Sequence, residues 1–299
     1  MVSTLSLLTI SQRTLATRHS PTPQILRARE LATTLIARQG SHAATLESVG
    51  FLQQHASRTL VHEGNSVAVH VSHAEFASDP PPKPYGLKGG AAREALVSPL
   101  GVRNPRAPRD IDLIRRGPTP IPSDEEMARR FMTRDYTHGA RVELISDMHR
   151  YLASRDITIN EIALLDQTAT LSVLAALDFH GYIIRPSRYR GGSIHRKPSL
   201  DGRVLLKMAR LFAEAEHYGD PAQMVGIPDA VSFSEFDLAI QLNKAFQRGA
   251  TVARGFIETL VMLGALQASP DPLSDVLQEL EHLRHGEKGL LSDVPQDFF

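Results

Sequence analysis

Cysteine and tryptophan are both absent from the 299 residues of the chain. Without cysteine, disulfides, thiolate metal sites and thiol nucleophiles are excluded, and the composition fits a reducing compartment. We therefore expect a cytoplasmic protein. The chain also lacks any apolar run near the roughly 18 residues that span a bilayer, so we expect no membrane association.

Acidic residues are missing from residues 1–29, which carry arginine, serine and threonine instead. That composition is typical of an organellar import peptide. The alternative, which we favour, is a polar segment that leads into a helix over Gln24–Arg38.

A net charge is missing as well, because 33 Lys and Arg balance 33 Asp and Glu. The charges are unevenly distributed, with 22 basic and 16 acidic side chains in residues 81–216 but 5 basic and 12 acidic ones in residues 217–299. The middle of the chain can therefore attract phosphate. The acidic end is a candidate surface for a protein partner.

The most basic segment contains Tyr189 and has no acidic residue between its cations. Such a segment can follow an RNA backbone, but the glycines at 191 and 192 also allow an ordinary solvated loop. Its cations are Arg185, Arg188, Arg190, Arg196 and Lys197.

Hydrophobic spacing predicts helices over residues 24–60, a strand over 66–71, a mixed centre and helices from Ser199 onward. We therefore predict a helical N-terminal extension over 1–80, an α/β domain with a mixed sheet over 81–198, and a helical neck and C-terminal domain over 199–299. Within the centre we predict strands over Tyr85–Lys88 and Ile111–Ile114 and a helix over Asn160–Leu165.

Two aspartates stand two positions apart at the second of these strands. Side chains at i and i+2 of a strand point to one face, so the carboxylates of Asp110 and Asp112 would lie together. Like charges held together are costly unless a cation lies between them, and oxygen ligands favour Mg²⁺, with Mn²⁺ as the alternative. Such a pair can hold catalytic metal ions, although a solvated pair on an edge strand is the simpler interpretation.

A glycine pair, Gly89-Gly90, precedes a predicted helix that carries Arg93. Backbone amides at a helix N-terminus bind phosphate, and glycine lets the phosphate come close. Arg93 can add a bidentate contact. The alternative is an ordinary turn between a strand and a helix.

A third segment, Ser154–Ala163, combines a cation, a carboxylate and an amide in Arg155, Asp156 and Asn160. In their order along the chain, Gly-Gly-x-x-Arg, Asp-Ile-Asp and Arg-Asp-Ile-Thr-Ile-Asn resemble the head domain of class II tRNA nucleotidyltransferases (CCA-adding enzymes) and bacterial poly(A) polymerases. The resemblance covers residues 85–166. It implies a polymerase-beta-like head that transfers NMP from an NTP, such as ATP, to an RNA 3′ end, tRNA first, with release of pyrophosphate.

The resemblance also implies roles for individual residues. Asp110 and Asp112 would bind the catalytic metals, with Glu143 as a candidate third ligand. The residues implied in nucleotide binding are Gly89, Gly90, Arg93, Arg155, Asp156, Asn160 and, on the following helix, Arg203, Lys207 and Arg210.

The chain departs from this family at several of these positions. Glu94 stands where the family has aspartate, and Ser154 replaces the first of two arginines. The base-reading motif is altered to Asp201-Gly202-Arg203, which leaves nucleotide selectivity open. Two alternatives follow: a nucleotidyltransferase that modifies a protein, a small molecule or, as a toxin would, tRNA; or an inactive head that binds RNA or nucleotide.

Overall fold

The chain divides into two compact units, which we call the sheet unit (Pro21–Ile183 and 187–189) and the helical unit (1–20, Ile184–Pro186 and Arg190–Phe299). None of the helices described is long and apolar enough to cross a membrane. The computed structural model describes residues 15–16, 19–38, 40–75, 80–118, 123–131, 142–187, 198–228, 232–283, 291, 293–295 and 298.

The sheet unit is built around a mixed sheet of seven described strands. Strands β5 and β6 pair in parallel, and the other neighbouring pairs are antiparallel. In sheet order the strands are β2 (Leu60–Glu63), β3 (Ser66–His70), β8 (Thr168–Ser172), β7 (Ile162–Leu165), β4 (Tyr85–Lys88), β5 (Asp112–Arg116) and β6 (Glu143–Ile145).

Most helices of this unit begin where a polar side chain caps their first amides. Thr22 and Ser41 accept hydrogen bonds from the amides of Ile25 and Ala44, and Ser172 accepts one from Ala175, as expected of N-caps. The helices are α1 (Pro23–Ala37), α2 (His42–His55), α3 (Gly89–Val97), α4 (Asp124–Phe131), α5 (Met148–Ala153) and α6 (Val173–Gly181). Helices α1, α2 and α6 pack on one another, and α3 packs on β4 and β7.

The predicted helix over Asn160–Leu165 is wrong. A 3₁₀ turn over Thr158–Asn160 leads into strand β7, which lies between β8 and β4. The strand is apolar at each position, and a short apolar run buried on both faces cannot be told from a helix by its spacing. The predicted helical pattern also ran on to Leu60, whereas α2 ends at His55 and Leu60 begins β2.

The segment Thr168–Leu177 contains the end of a hairpin and the start of a helix. A tight turn at Asp166 and Gln167, with φ angles of 49° and 61°, joins β7 to β8. Two residues with positive φ match the twist of a two-residue hairpin. Strand β8 then passes into α6 at the cap residue Ser172.

The helical unit consists mainly of four described helices, of which α9 packs against each of the other three. Two short strands, β1 (Leu15–Ala16) and β10 (Gln223–Met224), pair antiparallel beside them. Strand β9 (Ile183–Ile184) contains the boundary between the two units. The helices are α7 (Pro198–His217), α8 (Glu235–Phe246), α9 (Ala250–Met262) and α10 (Pro272–Leu280).

Candidate functional site

The glycine pair lies where β4 passes into α3, and both aspartates reach it. Gly89 has a φ of +59°, in the left-handed region, and a Cβ added there would lie 3.0 Å from Oδ2 of Asp112. A Cβ added to Gly90 would lie 3.6 Å from Oδ1 of Asp110. Position 89 therefore favours glycine both for its backbone angle and for the tight approach of Asp112, whereas the distance at Gly90 is an ordinary contact that leaves room for a Cβ.

Strand pairing explains this approach. Lys88, the last residue of β4, is the register partner of Asp112, the first residue of β5. Asp112 is thus held beside the start of α3. Asp110 is 8% exposed, and its Oδ2 pairs with Nη2 of Arg109 at 2.5 Å.

The third motif reaches the same helix through Arg93. The Arg93 guanidinium donates a hydrogen bond to the side-chain oxygen of Asn160, and Nδ2 of Asn160 donates to Oδ1 of Asp156 at 2.8 Å. The same Asp156 oxygen accepts the amide of Ile157 at 2.9 Å. Arg93, Asn160 and Asp156 therefore form one chain of hydrogen bonds.

Glu143 joins the strand end to the third motif by a second route. Its carboxylate accepts from Nζ of Lys88 at 2.7 Å and from Arg155 at 2.7 and 3.1 Å. Burial raises the pKa of Glu143, but the hydrogen bonds from Arg155 and Lys88 outweigh burial and hold that pKa below its usual value. Glu143 is therefore an ionised bridge between two cations.

Tyr151 lies beneath Arg155. The guanidinium carbon of Arg155 is 4.2 Å from the Tyr151 ring centroid, and its Nε donates to the Tyr151 carbonyl at 3.1 Å. A guanidinium over an aromatic face is attracted by the ring's negative surface. The ring thus helps to fix the direction of Arg155 toward Glu143.

Glu94 secures the loop that leads to Asp110. It accepts two hydrogen bonds from the Arg103 guanidinium, at 2.7 and 2.9 Å, and the amide of Arg106 at 2.7 Å. Burial raises the pKa of Glu94, yet the contacts with Arg103 and with the Arg106 amide, together with the charge of Arg93, lower it by more. Glu94 is therefore an ionised anchor for this loop.

The third motif is also tied to the core of the sheet unit. The Thr158 hydroxyl donates to Oδ2 of the fully buried Asp178 on α6 at 2.5 Å. The Ser187 amide donates to the Asp156 carbonyl at 3.0 Å. These bonds fix the backbone from which Asp156 and Asn160 project.

The oxygen donors that could hold a cation are the carboxylates of Asp110 and Asp112. Among the described residues, no group of three or more His, Asp or Glu side chains is arranged to hold a metal. Glu143 therefore stays a predicted third ligand, since its oxygens are shared here by Lys88 and Arg155. A pair of carboxylates suits a hard divalent ion whose other ligands are water and phosphate oxygens.

The residues predicted on α7 belong to the helical unit and have partners there. Arg203 pairs with Asp237 at 2.7 Å, and the buried Arg210 pairs with Glu214 at 2.6 Å and donates to Gln241. Lys207 lies between them on the same helix and is half-buried.

Gly202 on α7 is required for close packing within the helical unit. A Cβ added to Gly202 would lie 2.1 Å from the carbonyl oxygen of Ser232. Only glycine lets the 232–233 segment come this close to the helix. Residue 202 therefore serves the packing of the helical unit.

Of the predicted RNA-binding residues, the structure places Arg185, which is 8% exposed. The other four, Arg188, Arg190, Arg196 and Lys197, lie outside the described residues.

The sequence analysis did not single out Lys88 and Tyr151. Lys88 directly precedes the glycine pair, so the sequence itself shows a cation next to the predicted phosphate-binding turn. Tyr151 precedes Arg155 by four residues, which is also the spacing of side-chain contacts within a helix. Both could have been found from these spacings.

Comparison with known proteins finds a distant structural likeness. No family model and no curated protein matches the chain. A solved structure described as a complex of CCA-adding enzyme with CTP is similar at a TM-score of 0.29 and 17% identity, over 68% of this chain and 48% of that one. The chain thus spans about half the length of that enzyme.

Proposed function

We propose that this chain is a metal-dependent nucleotidyltransferase that transfers NMP from an NTP to an RNA 3′ end, with tRNA as the first candidate acceptor, and releases pyrophosphate. One observation carries the proposal. The three motifs, which the sequence spreads over residues 89–160, are interlocked around the start of α3 by Asp112 against Gly89, by Arg93 on Asn160, and by Glu143 between Lys88 and Arg155.

In the proposed reaction, an acceptor hydroxyl oxygen forms a bond to the α-phosphorus of the NTP. The bond between that phosphorus and the bridging oxygen breaks, pyrophosphate leaves, and the hydroxyl proton passes to solvent. A divalent ion held by Asp110 and Asp112 would lower the pKa of the attacking hydroxyl and neutralise charge on the leaving group. The rest of the catalysis is positioning and electrostatic stabilisation.

The chain's own residues would bind the triphosphate at the glycine turn. The N-cap residue of α3, Lys88, makes no side-chain hydrogen bond to the start of the helix, and in the proposal the first amides of α3 bind phosphate. Lys88 and Arg155 surround Glu143 and supply positive charge beside the same turn. Arg93 is held in place by Asn160 and adds a planar donor.

A different acceptor is the second candidate, and a specific observation favours it. Arg210, which the resemblance implies for nucleotide recognition, is instead buried against Glu214 and Gln241. If base reading is lost, the same head could modify a protein, a small molecule or tRNA in the manner of a toxin. A head that binds without catalysis is less well supported, because Asp110 and Asp112 are both present.

The test is transfer of label from each of the four α-³²P-NTPs, with Mg²⁺ or Mn²⁺, onto total RNA and onto total protein. The Asp112→Asn variant is the control for catalysis. We expect label in a tRNA-sized band that the variant does not produce. Label on protein would support the second candidate, a nucleotidyltransferase with a protein acceptor. If the folded protein transfers no label with either ion, the proposal is contradicted.

A further inference from the structure

Tyr151 has a buried side-chain hydroxyl. The residue is 5% exposed, and in the described part of the chain no group meets its hydroxyl in hydrogen-bond geometry. Buried polar groups are nearly always paired, so an unpaired one calls for a reason.

The position of this hydroxyl is fixed by the rest of the side chain. The Tyr151 ring packs in a buried cluster with Ile114, Ile145 and Leu152, and its face carries the Arg155 guanidinium. The hydroxyl therefore cannot swing out to solvent without breaking this packing.

The charges around the hydroxyl belong to the site. Burial raises the pKa of Tyr151 most, Arg155 lowers it, and the charges of Glu143 and Asp112 raise it further. The guanidinium carbon of Arg155 lies 4.2 Å from the Tyr151 ring centroid, and Nη2 of Arg155 lies 2.7 Å from Oε1 of Glu143, so one side chain separates Tyr151 from that carboxylate. Toward a carboxylate oxygen, which only accepts, a hydroxyl can act only as a donor.

In this structure the Glu143 carboxylate is bound by Lys88 and Arg155, two cations that a triphosphate would also attract. Lys88 and Arg155 take its oxygens at 2.7 Å each. If phosphate oxygens compete for Arg155, one Glu143 oxygen loses its donor in a partly buried place. An ionised oxygen that loses its donor there is costly unless another donor takes over.

We infer that Tyr151 is a positioning residue whose hydroxyl donates a hydrogen bond to the Glu143 carboxylate when a bound nucleoside triphosphate draws Arg155 away. The inference rests on the proposed function. With that bond, Glu143 keeps its place beside β5 and Asp112 while Arg155 contacts phosphate. Without it, the carboxylate loses its fixed direction in the nucleotide-bound state.

The test compares Tyr151→Phe with wild type in three measurements: the melting temperature of the free protein, the kcat and KM for NTP, and the Mg²⁺ concentration that gives half-maximal activity. The matched control is Tyr85→Phe on β4, because the Tyr85 hydroxyl already donates to Oδ1 of Asp124 at 3.0 Å.

We expect Tyr151→Phe to keep or raise the melting temperature, since it removes an unpaired hydroxyl, whereas Tyr85→Phe lowers it. We expect kcat of Tyr151→Phe to fall roughly tenfold or more, with a higher Mg²⁺ requirement and little change in KM. Tyr85→Phe should keep the Mg²⁺ requirement of wild type.

Two results would overturn the inference and leave the proposed function standing. One is an active wild type together with unchanged kcat and Mg²⁺ requirement in Tyr151→Phe. The other is a melting temperature of Tyr151→Phe that falls as much as that of Tyr85→Phe. A wild type that is inactive with every NTP and acceptor overturns the proposed function, and the inference with it.

Discussion

Arg93 on α3 donates a hydrogen bond to the side-chain oxygen of Asn160, which lies 67 residues later in the chain. This bond joins the glycine turn to the segment that carries Arg155 and Asp156. It also makes the arrangement testable, because Arg93 or Asn160 can be substituted while Asp110 and Asp112 stay unchanged.

Asn160→Ala should weaken nucleotide binding and lower stability together. The change removes the partner of Arg93 and the donor to Asp156, and the loss of such bonds to charged groups costs about 1–3 kcal/mol. Thermal unfolding and the KM for NTP measure the two effects. The matched control is Asn243→Ala in the helical unit, where Asn243 makes two hydrogen bonds to Asp293. Equal effects of both variants on KM would speak against a phosphate role for Arg93.

Gly89→Ala should abolish most activity at a modest cost in stability. The new Cβ would meet Asp112 at 3.0 Å and the backbone has a φ of +59°. A non-glycine residue in this region costs about 1–2 kcal/mol. Gly64→Ala is the control, because Gly64 has a φ of +58° and open space around it. Similar destabilisation with loss of activity in Gly89→Ala alone is the expected result, and equal activity in both variants would contradict the site.

Glu143→Gln should lower stability at neutral pH and flatten its acid dependence. The pKa of Glu143 is lowered in the folded state, so its ionised form contributes stability above the unfolded value of 4.5, and that contribution is lost as pH falls through the folded pKa. Unfolding free energies measured from pH 7 downward test this. The exposed pair of Glu30 with Arg27 provides the control Glu30→Gln, which should change little. Equal curves for wild type and Glu143→Gln would contradict the ion-pair account.

His180→Leu should remove part of the pH dependence near the acid side of neutrality. Burial first, and then the charge of His55, lowers the pKa of His180 from 6.5 to about 4. The unfolded chain therefore binds the proton more readily, and stability falls as pH falls from 6.5 toward 4, by up to about 3 kcal/mol. Chemical denaturation at pH 7 and at pH 5 measures the loss. A wild type that is equally stable at both pH values would show that His180 is not held neutral.

Much of the fold could be predicted because local signals were strong. The strand Tyr85–Lys88 has the predicted bounds, and helices α7 to α10 lie in the region that is predicted to be helical. The error at Asn160–Leu165 has a tertiary cause, because a central strand with two neighbours needs no alternation of polar and apolar residues.

The sequence patterns predict candidate site residues but not their contacts. Local patterns predict that Asp110 and Asp112 lie together, but they cannot show that Glu143 is shared by Lys88 and Arg155, since that depends on the parallel pairing of β5 with β6. Likewise, nothing in the spacing along α7 shows that Arg203 and Arg210 have the partners Asp237 and Gln241 on α8. Pairing between distant segments is set by the fold, not by local pattern.

The most direct test of the central claim is release of pyrophosphate from NTP, with Mg²⁺ and an RNA acceptor, by wild type and by Asp110→Asn and Asp112→Asn. The control is Asp166→Asn, because Asp166 is an exposed carboxylate at the β7–β8 turn that pairs with Lys83. We expect release by wild type and the control, and a loss of at least about a hundredfold in each of the other two variants. Equal release by all four proteins, or release that survives removal of the divalent ion, would contradict the claim that Asp110 and Asp112 carry the chemistry.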